Sequence, residues 1–197
     1  MAKKILFLLH LPPPSYGVTI FNQNLLSANL KDYFHIDPVA INTAQNISQV
    51  GKKSLSKSTI FFKIFFKILR KLLKNKYHLC YCSLTPTGIG FYKDLFYVLL
   101  IKIFKVKTLY HLHGKGISAR RGFINRILYK WCFQNTKVIL ISAALLYDVQ
   151  EYVNYKDIYI VPNGIVRTLS EQDFKELQHK RRVSKPITLL FLSNMIK

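Results

Sequence analysis

Acidic side chains are scarce in this chain of 197 residues, which has 9 Asp and Glu against 30 Lys and Arg and a formal net charge of +21. Asp32, Asp37 and Asp94 are the carboxylates that precede Asp148. A catalytic pair of carboxylates is therefore not expected. A positive charge of this size attracts polyanions, either nucleic acid or an anionic membrane surface.

Long apolar runs, targeting signals and paired cysteines are also missing. No apolar stretch reaches the roughly 18 residues that cross a bilayer, and prolines stand where a signal peptide would need a cleavage site. The three cysteines, Cys80, Cys82 and Cys132, form an odd number without zinc-type spacing. Cys80 and Cys82 are expected to pack on one face of a strand. These features predict a globular protein with one core in a reducing compartment such as the cytosol.

Short apolar runs alternate with longer periodic segments along most of the chain. Strands are predicted at 5–9, 35–41, 78–83, 108–112, 138–141 and 158–161, and helices from 18 and at 58–76, 91–104, 123–133 and 143–153. This alternation predicts the α/β class, with a doubly wound, open parallel sheet of Rossmann-like type. Pro38 places the second strand near an edge. The polar segment 42–58 is predicted to be a surface loop.

The segment 58–76 has the most unusual helical pattern. One face carries Phe61, Phe65, Ile68, Leu69 and Leu72, widened by Phe62, Phe66 and Leu73, and the opposite face carries Lys63, Lys67, Arg70, Lys71 and Lys74. Such a helix suits the interface of an anionic bilayer, with these five cations as membrane-binding residues. The alternative is a helix that packs its apolar face on the sheet and exposes its lysines to solvent. The two interpretations are compatible if part of the apolar face packs on the sheet and part contacts the membrane. Nucleic acid is less favoured because the aromatic residues lie apart from the cations.

Ligands of open parallel sheets bind outside the carboxyl ends of the strands. The loops there are 10–17, 83–90, 113–122, 142 and 162–164, and four of the five contain glycine. His111 and His113 point the same way along one strand, and His113 ends it beside a glycine. His113 is a candidate hydrogen-bond donor to a sugar or phosphate, with Lys115, Arg120 and Arg121 supplying positive charge. The alternative is a histidine whose hydrogen bonds are made inside the fold. No metal site is predicted, because no nearby acidic residue or cysteine would complete one.

Five segments, in order, resemble glycosyltransferase family 4, the retaining enzymes of GT-B architecture. They are HLPPPSYGVTIFNQNL at 10–25, SLTPTGIGFYKD at 83–94, YHLHGKG at 110–116, VILIS at 138–142 and IYIVPNGI at 158–165. The last residues, ITLLFLSNMIK, are similar to the strand that opens the second domain of this family. The resemblance implies an N-terminal acceptor-binding domain at 1–166, a linker or surface helix at 167–186, and the first strand of a truncated donor-binding domain at 187–197.

The resemblance also implies a reaction. It is a retaining, metal-independent transfer of a sugar from a nucleotide-sugar co-substrate, without a cofactor, to a glycan or lipid-linked acceptor. Membrane-associated or polysaccharide acceptors at the cytoplasmic face would place the protein peripherally on the inner membrane surface, in cell-surface glycan synthesis. The chain alone is expected to be inactive because most of the donor pocket belongs to the second domain. The alternatives are a non-enzymatic, basic membrane-surface binding module and another GT-B enzyme such as a nucleotide-sugar epimerase.

Site residues follow from the same resemblance. His113 matches a histidine near the donor sugar and is the candidate catalytic residue. Gly17 matches a glycine whose backbone approaches the donor phosphates, although Tyr16 and Val18 stand where many relatives have a second glycine. The other residues predicted to bind donor or acceptor are Tyr16, Thr85, Gly88, Lys115, Arg120, Ser142 and Asn163.

Overall fold

The computed structural model describes residues 2–43, 55–164 and 170–183. The chain divides into two compact units, Met1–Pro162 and Asn163–Lys197. The predicted strand at 187–197 and most of the predicted loop at 42–58 lie outside the described residues.

The first unit is built on a parallel sheet in which the described residues form six strands, in the order β2-β1-β3-β4-β5-β6. This arrangement confirms the predicted α/β class and Rossmann-like sheet. Pro38 lies in the edge strand β2, opposite Phe7 of β1, as predicted. The strands are β1 (Lys3–Leu9), β2 (Phe34–Ala40), β3 (Leu79–Ser83), β4 (Thr108–Leu112), β5 (Thr136–Leu140) and β6 (Ile158–Ile160).

Helices connect the strands and cover both faces of the sheet. They are α1 (Gly17–Ser27), α2 (Leu55–Lys74), α3 (Gly88–Ile103), α4 (Phe123–Phe133) and α5 (Leu146–Val149) in the first unit, and α6 (Glu171–Val183) in the second. Alternate residues of β1 divide between the faces, because successive side chains of a strand point in opposite directions. Leu6 and Leu8 belong to an apolar cluster that includes residues of α2 to α5, whereas Ile5 and Phe7 belong to a cluster that includes residues of α1. The sheet is thus wound on both faces, as predicted.

Most predicted boundaries lie within three residues of the observed ones, and β4 and α4 have the predicted bounds. The helix predicted at 143–153 is wrong in length. It begins as a 3-10 turn, Ala143–Leu145, and continues as α5 only to Val149. Beyond Val149 the Val149 carbonyl accepts both the Tyr152 amide at 2.8 Å and the Val153 amide at 3.1 Å, so the last turn mixes i→i−3 and i→i−4 bonds as the α-helix ends.

Helix α2 shares its apolar residues between the core and the surface. Ile64, Ile68 and Leu72 are buried, whereas Phe62, Phe66 and Leu73 are exposed beside four of the five predicted cations, Lys63, Lys67, Arg70 and Lys74. Lys71 differs because its ammonium group pairs with the Asp37 carboxylate of β2. The alternative of a helix packed on the sheet is therefore confirmed for the inward face, and Lys71 belongs to that packing. No helix among the described residues is long and apolar enough to cross a bilayer.

The three cysteines lie in the core. Cys80, Cys82 and Cys132 are buried, unpaired, and part of one apolar cluster on the face covered by α2 to α5. Burial raises the pKa of each thiol, which keeps the sulfur protonated near neutral pH. The predicted packing of Cys80 and Cys82 on one face is confirmed.

The described part of the second unit is helix α6, which lies within the segment predicted as a linker or surface helix. Ser170 precedes the helix, and its hydroxyl accepts a hydrogen bond from the Asp173 amide at 3.1 Å. The same hydroxyl donates to the Asp173 carboxylate at 2.6 Å. The first of these bonds satisfies an N-terminal amide of the helix.

Candidate functional site

A cavity of about 1290 Å³ lies at the carboxyl ends of β1, β3 and β4, between the loops that follow these strands and helices α2 and α3. We call it the strand-edge cavity. It joins residues that the sequence placed in three separate loops. Four predicted site residues contribute to its lining, namely Tyr16, Thr85, Gly88 and His113. The lining also includes His10, Pro14, Asn42, Phe61, Phe62, Pro86, Thr87, Ile89, Tyr92, Lys93, Phe96 and Gly114.

The polar part of the cavity is organised by a carboxylate that the sequence analysis did not select. Asp94 of α3 is fully buried, and one of its oxygens accepts a hydrogen bond from the Thr85 amide at 3.0 Å. The Lys93 ammonium lies 3.2 Å from the other oxygen. His10, the residue after β1, places Nε2 3.9 Å from the carboxylate and 3.4 Å from the Thr85 hydroxyl. We call His10, Thr85 and Lys93, which line the cavity above Asp94, the polar floor.

The charge of Asp94 is held by these neighbours. Burial alone would raise the pKa of Asp94, but Lys93, His10 and Thr85 stabilise the carboxylate and hold its pKa at about 2. Burial and the Asp94 charge together raise the pKa of Tyr16 at the cavity wall. The Asp94 carboxylate thus provides a fixed negative charge beneath the polar floor. The hydroxyl, imidazole and ammonium groups of the floor face the cavity and are suited to hydrogen bonding with a polyhydroxylated ligand.

The sequence contains weak indications of the positions of His10 and Asp94. Asp94 is the one acid in a predicted apolar helix, and its neighbours at helical spacing, Phe91 and Val98, are apolar. A carboxylate on an inward helical face indicates a partnered, buried charge. His10 follows its strand as His113 follows β4, and both therefore reach the same edge of the sheet.

His111, in β4, and His113, which follows it, have different roles. The His111 and His113 rings stack with centroids 4.0 Å apart, and Phe21 of α1 contacts them at 5.0 and 4.9 Å. The side chains point the same way, as predicted. His111 is buried, and its Nδ1 shares a hydrogen bond with the Tyr81 hydroxyl. Burial and, secondarily, His113 lower the pKa of His111 to about 3, so this ring is neutral near pH 7 and serves packing. His113 lines the cavity.

The glycine-rich loop after β4 is held by Asp148 of α5. One carboxylate oxygen accepts the Gly116 and Ile117 amides at 2.9 and 3.1 Å, and the other accepts the Ser118 amide and hydroxyl at 2.9 and 2.8 Å. Gly116 has a φ of +122°, where a side chain would be strained. Asp148 therefore fixes the loop whose first residues, His113 and Gly114, line the cavity.

Gly88 has a similar backbone requirement at the start of α3. Its φ is +72°, in the left-handed region that favours glycine. The preceding Thr87 is the extended N-cap residue, so the chain turns sharply from the cavity wall into the helix. This turn explains why α3 begins at Gly88 rather than at the predicted Phe91.

The other predicted site residues lie elsewhere. Gly17, Lys115, Arg120 and Ser142 are exposed, and in the part of the chain that the structure describes they do not line the cavity. The Ser142 hydroxyl accepts the Ala144 amide at 3.2 Å, so Ser142 is the N-cap of the 3-10 turn Ala143–Leu145. Asn163 belongs to the second unit and is exposed.

No protein-family model matches the chain, and no curated protein matches it. Among solved structures, the chain is similar to the crystal structure of Anabaena Alr3699/HepE in complex with UDP and glucose, with 15% sequence identity and a TM-score of 0.49. The similarity covers 90% of this chain and 50% of that chain, so this chain spans about half the length of the structure it matches. At this identity and TM-score, the similarity does not define the family or the ligand of this chain.

Proposed function

We propose that this chain provides the acceptor-binding domain of a retaining, metal-independent glycosyltransferase similar to family 4, as the N-terminal half of a GT-B architecture. The observation that carries the proposal is the strand-edge cavity, where Tyr16, Thr85, Gly88 and His113 come together from the segments that resemble this family. The donor is a nucleotide sugar and the acceptor is a glycan or lipid-linked sugar. The reaction takes place at the cytoplasmic face of a membrane, in cell-surface glycan synthesis.

Each group has a stated task in this proposal. The Thr85 hydroxyl and the Tyr16 hydroxyl hydrogen-bond acceptor hydroxyls in the cavity, and His113 contacts the donor sugar where it meets the acceptor. Lys115 and Arg120, which belong to the loop that Asp148 holds, supply positive charge to the departing diphosphate. The nucleotide itself is bound mainly by the second domain of such an enzyme.

Removal of the Thr85 hydroxyl is expected to weaken glycoside binding. In Thr85→Val the shape is kept and one hydrogen bond of about 1 kcal/mol is lost, which corresponds to about fivefold weaker binding of a methyl glycoside. Binding is measured by chemical-shift titration of the labelled chain with a panel of methyl glycosides. Ser142→Ala, which removes an exposed hydroxyl outside the cavity lining of the described residues, is the matched control and should bind normally. The proposal fails if no glycoside shifts cavity resonances, or if both variants bind like the wild type.

A second candidate function is binding to an anionic membrane surface. The observation that favours it is the outward face of α2. The exposed side chains there are apolar, at Phe62, Phe66 and Leu73, or cationic, at Lys63, Lys67, Arg70 and Lys74. No acidic residue occurs in α2. Exposed aromatic and aliphatic side chains can enter the lipid interface while the cations contact anionic head groups.

The membrane candidate predicts a charge-dependent affinity for vesicles. Lys63→Gln combined with Lys67→Gln is expected to weaken partitioning onto vesicles with anionic lipid about 30-fold at low salt, since each such cation contributes about 1 kcal/mol. Co-sedimentation measures the effect, without any nucleotide sugar. The control is Lys31→Gln with Lys107→Gln, two exposed lysines outside α2. Equal losses in the two double variants, or no binding by the wild type, would count against the candidate.

A further inference from the structure

The strand-edge cavity has two chemically different ends. One end is the polar floor of His10, Thr85 and Lys93. The other end is lined by Phe62 of α2 and by Ile89, Tyr92 and Phe96 of α3, which we call the apolar mouth. These four side chains line the cavity and also face solvent, with exposed fractions of 42 to 56%. The mouth therefore connects the polar interior to the outer surface of two helices.

The apolar mouth is a packed surface. Phe61 lies beneath it, partly buried, with ring centroids 5.3 Å from Phe62, 5.6 Å from Phe96 and 5.5 Å from Tyr97. The Tyr92 hydroxyl donates to Asn125 of α4 at 2.7 Å, which fixes the orientation of its ring. Four large apolar side chains held in place beside a polar cavity are typical of a ligand site, because exposed apolar patches on soluble proteins mark binding surfaces.

The apolar surface continues outward along α3. Ile89, Tyr92, Phe96, Leu99 and Ile103 are all exposed and recur at helical spacing, so they form one strip along the helix. At a rise of 1.5 Å per residue the strip is roughly 21 Å long. The charged residues of α3 lie off the strip, because Asp94 is buried, Lys93 pairs with it, and Lys102 lies over the Trp131 ring.

We propose that the acceptor of this protein is an amphiphile, a sugar carried on a long alkyl or isoprenoid chain. The sugar occupies the polar floor, and the chain leaves through the apolar mouth and lies on the strip of α3. This inference rests on the proposed function and selects the lipid-linked acceptor over a free glycan. A free glycan can stack on Tyr92 or Phe96 but gains little from Ile89 and nothing from an aliphatic strip beyond the cavity.

The charges around the cavity fit the same ligand. Lys57 and Lys93 line the cavity, and no acidic residue does so in the described part of the chain. An anionic linker between sugar and chain, such as a phosphate, therefore meets no opposing carboxylate at the surface. Lys63 and Lys67 lie on the exposed face of α2 next to Phe62 and Phe66, where anionic lipid head groups would surround the chain.

The test compares glucosides that share one head group and differ in chain length. Methyl, hexyl and octyl β-glucoside are titrated into the 197-residue chain by calorimetry, below their micelle concentrations. The affinity is expected to rise by about fourfold for each buried methylene, which gives at least a tenfold difference between methyl and octyl glucoside. Phe96→Ser, at the mouth, should remove most of this difference, chiefly by lowering the affinity for octyl glucoside. Phe96 is half exposed, and circular dichroism checks that the variant is folded.

The matched control is Phe123→Ser, an exposed phenylalanine at the start of α4 that lies off the strip and outside the cavity lining among the described residues. It should keep at least a tenfold preference for octyl over methyl glucoside. Equal loss of chain dependence in Phe96→Ser and Phe123→Ser would indicate non-specific adsorption and overturn the inference. Equal affinity of the wild type for methyl and octyl glucoside would overturn the inference and leave the proposed function intact. Absence of any glucoside or other glycoside binding at the cavity would instead overturn the proposed function.

Discussion

Replacing Asp148 with alanine is expected to destabilise the protein by about 3–5 kcal/mol, although the change removes only one carboxylate. The carboxylate accepts four hydrogen bonds, three of them from consecutive backbone amides of the loop after β4. Hydrogen bonds to a charged group contribute about 1.5–3 kcal/mol each, and the Ile117 amide would be left buried without an acceptor. The losses are not additive because the freed loop can take up water. Urea unfolding measures the change.

Glu151 provides the control for this prediction. It lies three residues after Asp148, and its exposed side chain forms an ion pair with Arg126 at 2.9 Å. Exposed ion pairs contribute at most about 1 kcal/mol, so Glu151→Ala should have a small effect. Similar free energies of unfolding for the two variants would contradict the assigned role of Asp148. Hydrogen exchange adds a local readout, since the amides of Gly116, Ile117 and Ser118 should lose protection in Asp148→Ala but not in Glu151→Ala.

The consequence for function follows from the position of the loop. His113 and Gly114 line the strand-edge cavity, and the bonds to Asp148 begin two residues later. A residue that touches no ligand in the proposal therefore fixes the backbone that carries the candidate catalytic histidine. Asp148 is a positioning residue in this sense, since it acts through the loop.

The fold was predictable because its signals are local. The buried strand β4 is a short apolar run, and α4 has helical spacing between two turn-forming segments, so both were predicted with their observed bounds. Pro38 indicated an edge strand because proline has no backbone N–H to donate to a neighbouring strand. The helix α2 was ambiguous for a physical reason. Its apolar residues cover more than half of its circumference, and the sequence cannot show which part faces the sheet.

The site was less predictable because its key bonds join distant residues. Asp148 binds amides about 30 residues earlier in the chain, and Asp94 of α3 meets His10 after β1. Neither contact has a signature in the spacing of the sequence. Tyr16, Thr85, Gly88 and His113 were found because each belongs to a loop at a strand's carboxyl end, where the parallel topology brings loops together. Lys115 and Arg120 share such a loop, yet their side chains are exposed beyond the cavity.

Removal of the Asp94 carboxylate is expected to destabilise the protein by a similar amount, about 3–5 kcal/mol for Asp94→Ala at neutral pH. The Lys93 ammonium, largely buried, would lose its charge partner, and the Thr85 amide would lose its acceptor. An ion pair broken on one side leaves an uncompensated charge in the interior, which is the costly case. Thermal and urea unfolding measure the effect, and Asp32→Ala, at an exposed carboxylate in the same unit, should change stability by less than about 0.5 kcal/mol.

The dependence of stability on acidic pH distinguishes the contribution of the Asp94 charge from that of its packing. The folded pKa of about 2 lies below the unfolded value of 3.8, so the carboxylate contributes stability that is fully present above about pH 4 and is lost as the pH falls through 2. This difference corresponds to roughly 2 kcal/mol. The isosteric variant Asp94→Asn has no such charge, and its stability deficit relative to the wild type should therefore shrink by about that amount between pH 4 and pH 2. A deficit that stays constant over this range would show that Asp94 stabilises the cavity floor through shape and hydrogen bonding, without its charge.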